Sequence, residues 1–348
     1  MITLSRNELQ SRFSKLKDEK PTLRIRDAAG ELSVSEAELV ALNCGTPVTT
    51  RLRGPWGDFV KKLPTVGRVM ALARNEAAVH ERKGCYEKVE IFGPMGMVLG
   101  KDIDLRLFPN AWHVGFALRE EVEGEVRRSF QVFDKQGTAI HKVYLQEQSA
   151  AGAFEEIVSA FVDDNQSVDQ PVDPEPAAEP ELPDSDIDVA AFHTAWDGMA
   201  DTHEFHMLTR KFRLGREQAL RLAGPERAYR VKNDSTRTLL DRASGSGQLI
   251  MIFVGNRGII QIHSGSVQNI KVAGPWLNVL DPDFNLHLRE DLVANTWVVK
   301  KPTRNGQITS LELYDEKGEN IALFFGKRSE GESERSDWRT LAESFSKV

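Results

Sequence analysis

The most chemically capable stretch of the chain is Asp201-Thr202-His203-Glu204-Phe205-His206, where two imidazoles stand three residues apart. Asp201 with Glu204 three positions on has the form of a capping box, which puts His203 in the first turn of a helix. The positive end of the helix dipole disfavours imidazolium there and leaves a neutral ring with a lone pair for a metal. His206 falls on the same face, with its Cβ about 5–6 Å away, and Arg210 continues the stripe. A histidine near a helix start also serves as a capping or surface residue, and both readings stay open here. An HxxH pair could hold zinc, but a structural zinc site takes four ligands, and neither Cys44 nor Cys85 lies nearby. His80, His113, His141, His193, His263 and His287 have no metal-site spacing and read as satisfied structural residues. There is no Walker motif, no GxGxxG after a strand, no HExxH and no GxSxG.

These residues need a scaffold, and 348 residues suffice for roughly two domains. Hydrophobic residues at 40%, with 17 Phe, supply material for a core, which excludes wholesale disorder. The longest apolar run, Leu249 to Gly255, is far short of the ~20 residues of a membrane helix, so no membrane insertion is expected. The start at Met1 shows neither a basic n-region nor an apolar h-region. Two cysteines make no disulfide framework. Together these features read as a soluble, cytoplasmic protein.

The charge is uneven. Ten acids and no Lys or Arg lie between Asp163 and Asp188, among five of the 15 prolines, and without those ten charges the net −7 becomes +3. Proline breaks helices and like charges repel, so 163–188 reads as an extended, solvated linker. The remainder is too weakly basic for nucleic acid, which asks for a concentrated basic stripe, but suits a small acidic ligand.

A shift of 181 residues aligns the two halves without gaps. Gly84, Gly93, Pro94, Val98, Leu99, Asp102, Leu105 and Leu107 fall on Gly265, Gly274, Pro275, Val279, Leu280, Asp283, Leu286 and Leu288. Met70 falls on Met251, Asn75 on Asn256, Glu36 on Glu217, and Gly137 on Gly318. One register kept over more than a hundred residues marks a tandem duplication. The expected organisation is an N-terminal repeat over 1–162, the linker over 163–188, and a C-terminal repeat over 189–348. In the second repeat, 192–200 and 203–222 read as helix, with Phe205, Leu208 and Phe212 on one face. The segments 249–254, 258–263, 269–272, 285–288, 297–300 and 310–314 read as strands, and 338–345 as a closing helix. Strand runs bracketed by helices make each repeat α+β, a large antiparallel sheet flanked by helices. The repeats differ where chemistry is possible: His203 faces Thr22, His206 faces Ile25, and Arg106 faces His287.

The chain resembles the cytoplasmic hemin-degrading and heme-trafficking family of Gram-negative bacteria (HemS, ChuS and PhuS types). The motifs are VMALARNE at 69–76, DLRLF at 104–108, QALRLAG at 218–224, GPWLNVLDPDFNLHLRED at 274–291, WVVKKPT at 297–303 and FFGKR at 324–328. The resemblance covers nearly the whole chain outside the linker. It implies one heme in a cleft between the repeats, as substrate or cargo, with His203 the axial iron ligand and Arg106 at the opposite face. It implies Arg216, Lys301 and Arg328 for the propionates, Phe108 lining the pocket, and His80 as a secondary contact. His206 stands where degrading members carry an aromatic, a departure that looks closer to trafficking members and fits iron handed between two imidazoles. The implied function is uptake and use of heme iron. The heme is either degraded oxidatively, with Arg106 and His203 as the catalytic pair, or delivered to a separate heme oxygenase. A reductase or an inner-membrane heme transporter are further implied partners.

Overall fold

The computed structural model describes residues 5–146, 150–177, 180–329 and 331–348. The first copy runs α1 (Arg6–Glu19), α2 (Ile25–Leu32), α3 (Glu36–Ala41), β1 (Thr49–Leu52), α4 (Trp56–Lys62), β2 (Arg68–Arg74) and β3 (Ala78–Cys85). It continues through β4 (Val89–Phe92), β5 (Met95–Leu99), β6 (Asp104–Leu107), β7 (Val114–Val122), β8 (Glu125–Phe133), β9 (Ala139–Leu145) and α5 (Ala151–Phe161). The second copy repeats that order. It comprises α6 (Val189–Asp197), α7 (Glu204–Phe212), α8 (Arg216–Ala223), β10 (Ala228–Val231), α9 (Ser235–Ser246), β11 (Ile250–Gly255) and β12 (Ile259–Gly265). Then come β13 (Ile270–Ala273), β14 (Trp276–Leu280), β15 (Phe284–Arg289), β16 (Asn295–Thr303), β17 (Gly306–Tyr314), β18 (Asn320–Gly326) and α10 (Ser336–Glu343). The strands form two large antiparallel sheets of order β1-β7-β8-β9-β2-β3-β15-β14-β13 and β10-β16-β17-β18-β11-β12-β6-β5-β4. This is the α+β duplication that the sequence implies.

Period-2 burial explains why these segments are strands and which way their polar residues face. Val69, Ala71 and Ala73 of β2 are fully buried while their neighbours are not. In β6, Leu105 and Leu107 are fully buried, which turns Asp104 and Arg106 to the other face. Burying a leucine side chain stabilises by about 1.5–3 kcal/mol, so a register slip that exposed this face would be costly. The aligned glycines Gly93 and Gly274 have φ of 57° and 56°, a left-handed turn that glycine adopts without strain in both copies.

Several elements depart from the sequence reading. The expected helix over 203–222 is two helices, because Arg213 turns left-handed at φ 54° and Leu214 N–H donates back to Thr209 O at 2.9 Å. Strands β10, β14 and β18 and helix α9 lie outside the segments that the sequence marks. Gly274-Pro275 reads as a break although it only turns β13 into β14. The glycine Gly245 and serines of α9 are poor helix formers, and burial of Leu239, Leu240 and Ala243 offsets them.

The chain forms two compact units: Met1–Ala73 with Arg82–Pro176 and Asn256–Ile260, and Arg74–Glu81 with Ala177–Gly255 and Gln261–Val348. The acidic segment divides at Pro176, and each copy places one short turn in the other's unit. Two asparagines related by the 181-residue shift fasten these turns. Asn75 Nδ2 donates to Gly255 O (3.1 Å) and Ile321 O (2.8 Å) in the second unit. Asn256 Nδ2 donates to Ile140 O (2.9 Å) in the first. Ile140 and Ile321 are themselves related by the same shift.

The first part of the acidic segment is not free in solvent. Buried Arg51 donates to the carbonyls of Ser167 (2.6 Å) and Asp169 (3.0 Å) and to Gln170 Oε1. Gln166 bridges the Arg51 backbone on both sides, at 2.9 Å each. Composition dominated by acids and prolines conceals these two glutamines; Gln166 bonds the Arg51 backbone as a neighbouring strand would, and Gln170 accepts from its guanidinium.

In the first unit, His141 is buried. Its Nδ1 donates to Leu72 O (2.9 Å), so Nε2 accepts from the Tyr86 hydroxyl at 2.6 Å. Burial lowers its pKa to about 4, whereas an unfolded imidazole titrates near 6.5. Between these values the unfolded chain binds more protons, so this contribution is complete above about pH 6.5 and is lost as pH falls toward 4. It amounts to roughly 3 kcal/mol. Urea unfolding of wild type and His141→Gln should show the variant losing about 2 kcal/mol less between pH 7 and pH 5; parallel pH profiles would contradict this. Asn75→Ala, which strands two carbonyls and two amides, should cost about 2 kcal/mol in the same assay, and a cost near zero would refute the fastening role.

Candidate functional site

Helix α7 is built to expose one face. Phe205 and Leu208 are buried, Phe212 packs against the same cluster, and the Trp196 ring meets Phe205 edge-on at 5.2 Å. With that face inward, helical geometry sends His203, His206, Met207 and Arg210 outward, and all four are exposed. Met207 is 64% exposed, a large apolar side chain left in solvent beside two imidazoles.

The helix starts two residues later than the capping box in the sequence implies. His203 is the N-cap, Asp201 Oδ1 accepts from His203 N–H at 2.8 Å, and Glu204 Oε2 accepts from Ala200 N–H at 3.0 Å. The same Asp201 oxygen lies 2.7 Å from His203 Nδ1. The backbone hydrogen bond from His203 is the main reason that the Asp201 carboxyl sits below its usual range, and the Arg328 charge adds to it. An ionised carboxylate only accepts hydrogen bonds, so Nδ1 carries the proton and Nε2 the lone pair. The side chain is 87% exposed, which leaves Nε2 open to a ligand. A carboxylate behind an imidazole both orients it and makes it a stronger donor to metal.

Beneath α7 lies a buried charge cluster on β16, β17 and the start of α8. Glu312 accepts from Lys301 Nζ (2.5 Å), Ser310 Oγ (2.9 Å), Tyr314 OH (2.6 Å) and Arg216 NH2 (3.2 Å). Burial by itself would raise the Glu312 carboxyl, but the charges of Lys301 and Arg216 and the hydrogen bonds outweigh it and hold the group well below the carboxylate range. Lys301 is buried in this pair, whereas the Arg216 side chain is 36% exposed. Of the three cations expected at the propionates, Arg216 and half-buried Arg328 therefore have access to solvent, and Lys301 has its charge satisfied from below.

In the first unit, Arg106 is half-buried on β6 and pairs with Asp104 on the same face of that strand. Burial raises the Asp104 carboxyl, an effect that Arg106 opposes without cancelling. Phe108, half-buried, ends this strand, its N–H donating to Gly258 O at 3.0 Å. In the second unit, His80 is fully buried, with its Nδ1 2.9 Å from Gln261 Nε2, a core position away from solvent. A cavity of about 270 Å³ at the β7–β8 hairpin, lined by Val122, Glu125, Arg127 and Arg128 among others, contains none of the expected site residues. Among the described residues, no three His, Cys, Asp or Glu side chains are grouped to hold a metal ion, and no helix is long and apolar enough to cross a membrane.

A family model described as the haemin-degrading HemS.ChuX domain matches this chain twice, over residues 33–161 and 213–345. The chain belongs to this family. Hemin transport protein HmuS of Yersinia pestis is 38% identical over 333 residues, 95% of each chain. HemS of Yersinia enterocolitica, also named a hemin transport protein, matches to the same extent. The crystal structure of holo-PhuS, a heme-binding protein from Pseudomonas aeruginosa, is 46% identical, with TM-score 0.96 over 99% of this chain and 100% of that one. The heme-degrading enzyme ChuS of Escherichia coli O157:H7 is 34% identical, with TM-score 0.90 over 98% and 99%.

Sequence reasoning missed two partners within this HemS-family fold. Asp201 was legible as a cap but not as the Nδ1 acceptor, although a D-x-H spacing carries that signal. Glu312 announces itself only as an acid in the alternating strand SLELY, on what proves to be a buried face. Asp201→Ala removes the acceptor for the His203 amide and should cost about 1 kcal/mol locally. Amide hydrogen exchange at His203 should then speed up roughly fivefold; unchanged exchange would show that the carboxylate does not hold this turn.

Proposed function

We propose that the chain binds one heme through Nε2 of His203, in the use of heme iron in the cytoplasm. The observation that carries this reading is the exposed imidazole with its Nδ1 proton held by Asp201. Neutral imidazole is a standard axial donor to heme iron. Arg216 and Arg328 would meet the propionates, with Lys301 supporting Arg216 through Glu312. Arg106 serves as the guanidinium donor at the opposite face, and Phe108 as an apolar contact. The relatives' descriptions as hemin transport, heme-binding and heme-degrading proteins support the same ligand.

The bound heme is the substrate of an oxidative ring opening that frees iron, with electrons from a separate reductase and oxygen or peroxide as oxidant. A second reading is favoured by His206, exposed one turn from His203: delivery of intact heme to a separate oxygenase, with the iron passing between the two imidazoles.

Hemin titrated into purified protein should give a Soret band that His203→Ala shifts and weakens at least tenfold in affinity; an unchanged band would exclude His203 as ligand. Addition of ascorbate in air, with catalase present, separates the two fates. Loss of the Soret band with an open-chain pigment and released ferrous iron supports degradation. A stable band supports delivery, and His206→Ala should then slow transfer to an oxygenase severalfold.

A further inference from the structure

The buried cluster beneath α7 carries more than its own stability. Two cations, Lys301 and Arg216, share one carboxylate, Glu312, so the cluster holds a surplus positive charge in a place where charge is expensive. Its geometry assigns the surplus to Arg216. The Nε of Arg216 donates to Tyr314 OH at 2.8 Å and NH2 to Glu312 Oε2 at 3.2 Å, while NH1 has no partner among the described residues. The inner edge of the guanidinium is thus fixed from behind, and the side chain remains over a third exposed. Both cations also lie over the ring of Phe205, at 4.5 Å for Lys301 Nζ and 5.2 Å for Arg216 Cζ, and Phe205 is two residues from His203 on the same helix.

The duplication shows that the fold does not need this cluster. At the equivalent strand positions of the first copy, Lys301 is Glu120, Glu312 is Gln131 and Tyr314 is Phe133, while Ser310 is retained as Ser129; the matching helix N-caps Ser35 and Gly215 set Glu36 in the place of Arg216. The first unit instead buries Lys142 with Glu36, and Lys142 lies over the ring of Phe133. The arrangement of Lys301, Glu312, Tyr314 and Arg216 occurs in the copy that carries His203.

We propose that Tyr314 and Glu312 are positioning residues that aim Arg216 as a carboxylate receptor beside the helix bearing His203. This deepens, and rests on, the heme-binding reading: the carboxylate is a porphyrin propionate. Held on two sides, the guanidinium keeps its remaining N–H groups outward, so binding does not bear the cost of ordering a free arginine side chain.

The test compares ferric hemin with its dimethyl ester, which keeps the iron and ring but has no carboxylate. Soret titrations use the full-length wild type, Tyr314→Phe and Glu312→Asp, variants that leave the cluster charge unchanged. Phe is the residue the first copy carries, so Tyr314→Phe is compatible with the fold. Wild type should prefer hemin to the ester at least tenfold, in line with a charge-assisted hydrogen bond. Tyr314→Phe should cut this preference by roughly threefold to tenfold, with the Soret position unchanged because His203 still ligates; Glu312→Asp should cut it similarly. If the residues act only as core, both porphyrins weaken equally and the ratio stays at the wild-type value, which overturns the proposal. A wild type that binds both porphyrins alike overturns it too. A wild type that yields no Soret band with either porphyrin refutes the heme-binding reading itself and the proposal with it.

Discussion

The hydrogen bond between Asp201 Oδ1 and His203 Nδ1 determines which imidazole nitrogen keeps a lone pair. A solvent-exposed histidine alone interchanges its tautomers and its charge near neutral pH. Here an ionised carboxylate fixes the proton on one nitrogen while the buried face of α7 points the other outward. Other contacts hold the helix that carries this pair. Phe205 seats the helix, Arg213 ends it after nine residues by turning left-handed, and the Glu312 cluster fixes what lies beneath it.

Duplication explains how one scaffold accommodates this specialisation. The two copies share element order, turn glycines and the paired asparagines Asn75 and Asn256, whose bonds go to carbonyls at matching positions. These shared features are the ones that hold the fold. The unshared ones are polar and clustered: His203, His206, Arg216, Lys301, Glu312 and Tyr314 in one copy, the Asp104–Arg106 pair in the other. In the second copy the place of Arg106 is taken by His287, whose Nδ1 lies 2.7 Å from Asn278 Oδ1 on the adjacent strand. The first copy has Met97 in place of Asn278, which offers no such acceptor, and Arg106 turns to Asp104 on its own strand. Replacements on both strands thus change how the side chain at this position is held.

Much of the fold was legible because it was written twice. The 181-residue register, the glycine turns and the alternating strands all follow from local chemistry. The apolar face of α7 was also readable from Phe205, Leu208 and Phe212, and it placed His203 and His206 outward. What remained hidden depends on contacts distant in sequence. Lys301 reads as one more surface cation until β17 brings Glu312 against it, and nothing in the local sequence signals that the acidic segment folds back over Arg51. The split of 203–222 was hidden for another reason: no glycine marks the turn, because Arg213 itself adopts the left-handed conformation.

The claim that Asp201 tunes His203 is tested most directly by the iron–histidine stretching band of the ferrous heme complex, recorded by resonance Raman for wild type and Asp201→Asn. A carboxylate on Nδ1 lends the ring imidazolate character and strengthens its bond to iron. The band should therefore lie higher in wild type and drop in Asp201→Asn, where a neutral amide replaces the charge. An identical band in both proteins would show that the carboxylate does not govern the ligand, and the role assigned to this pair would fall.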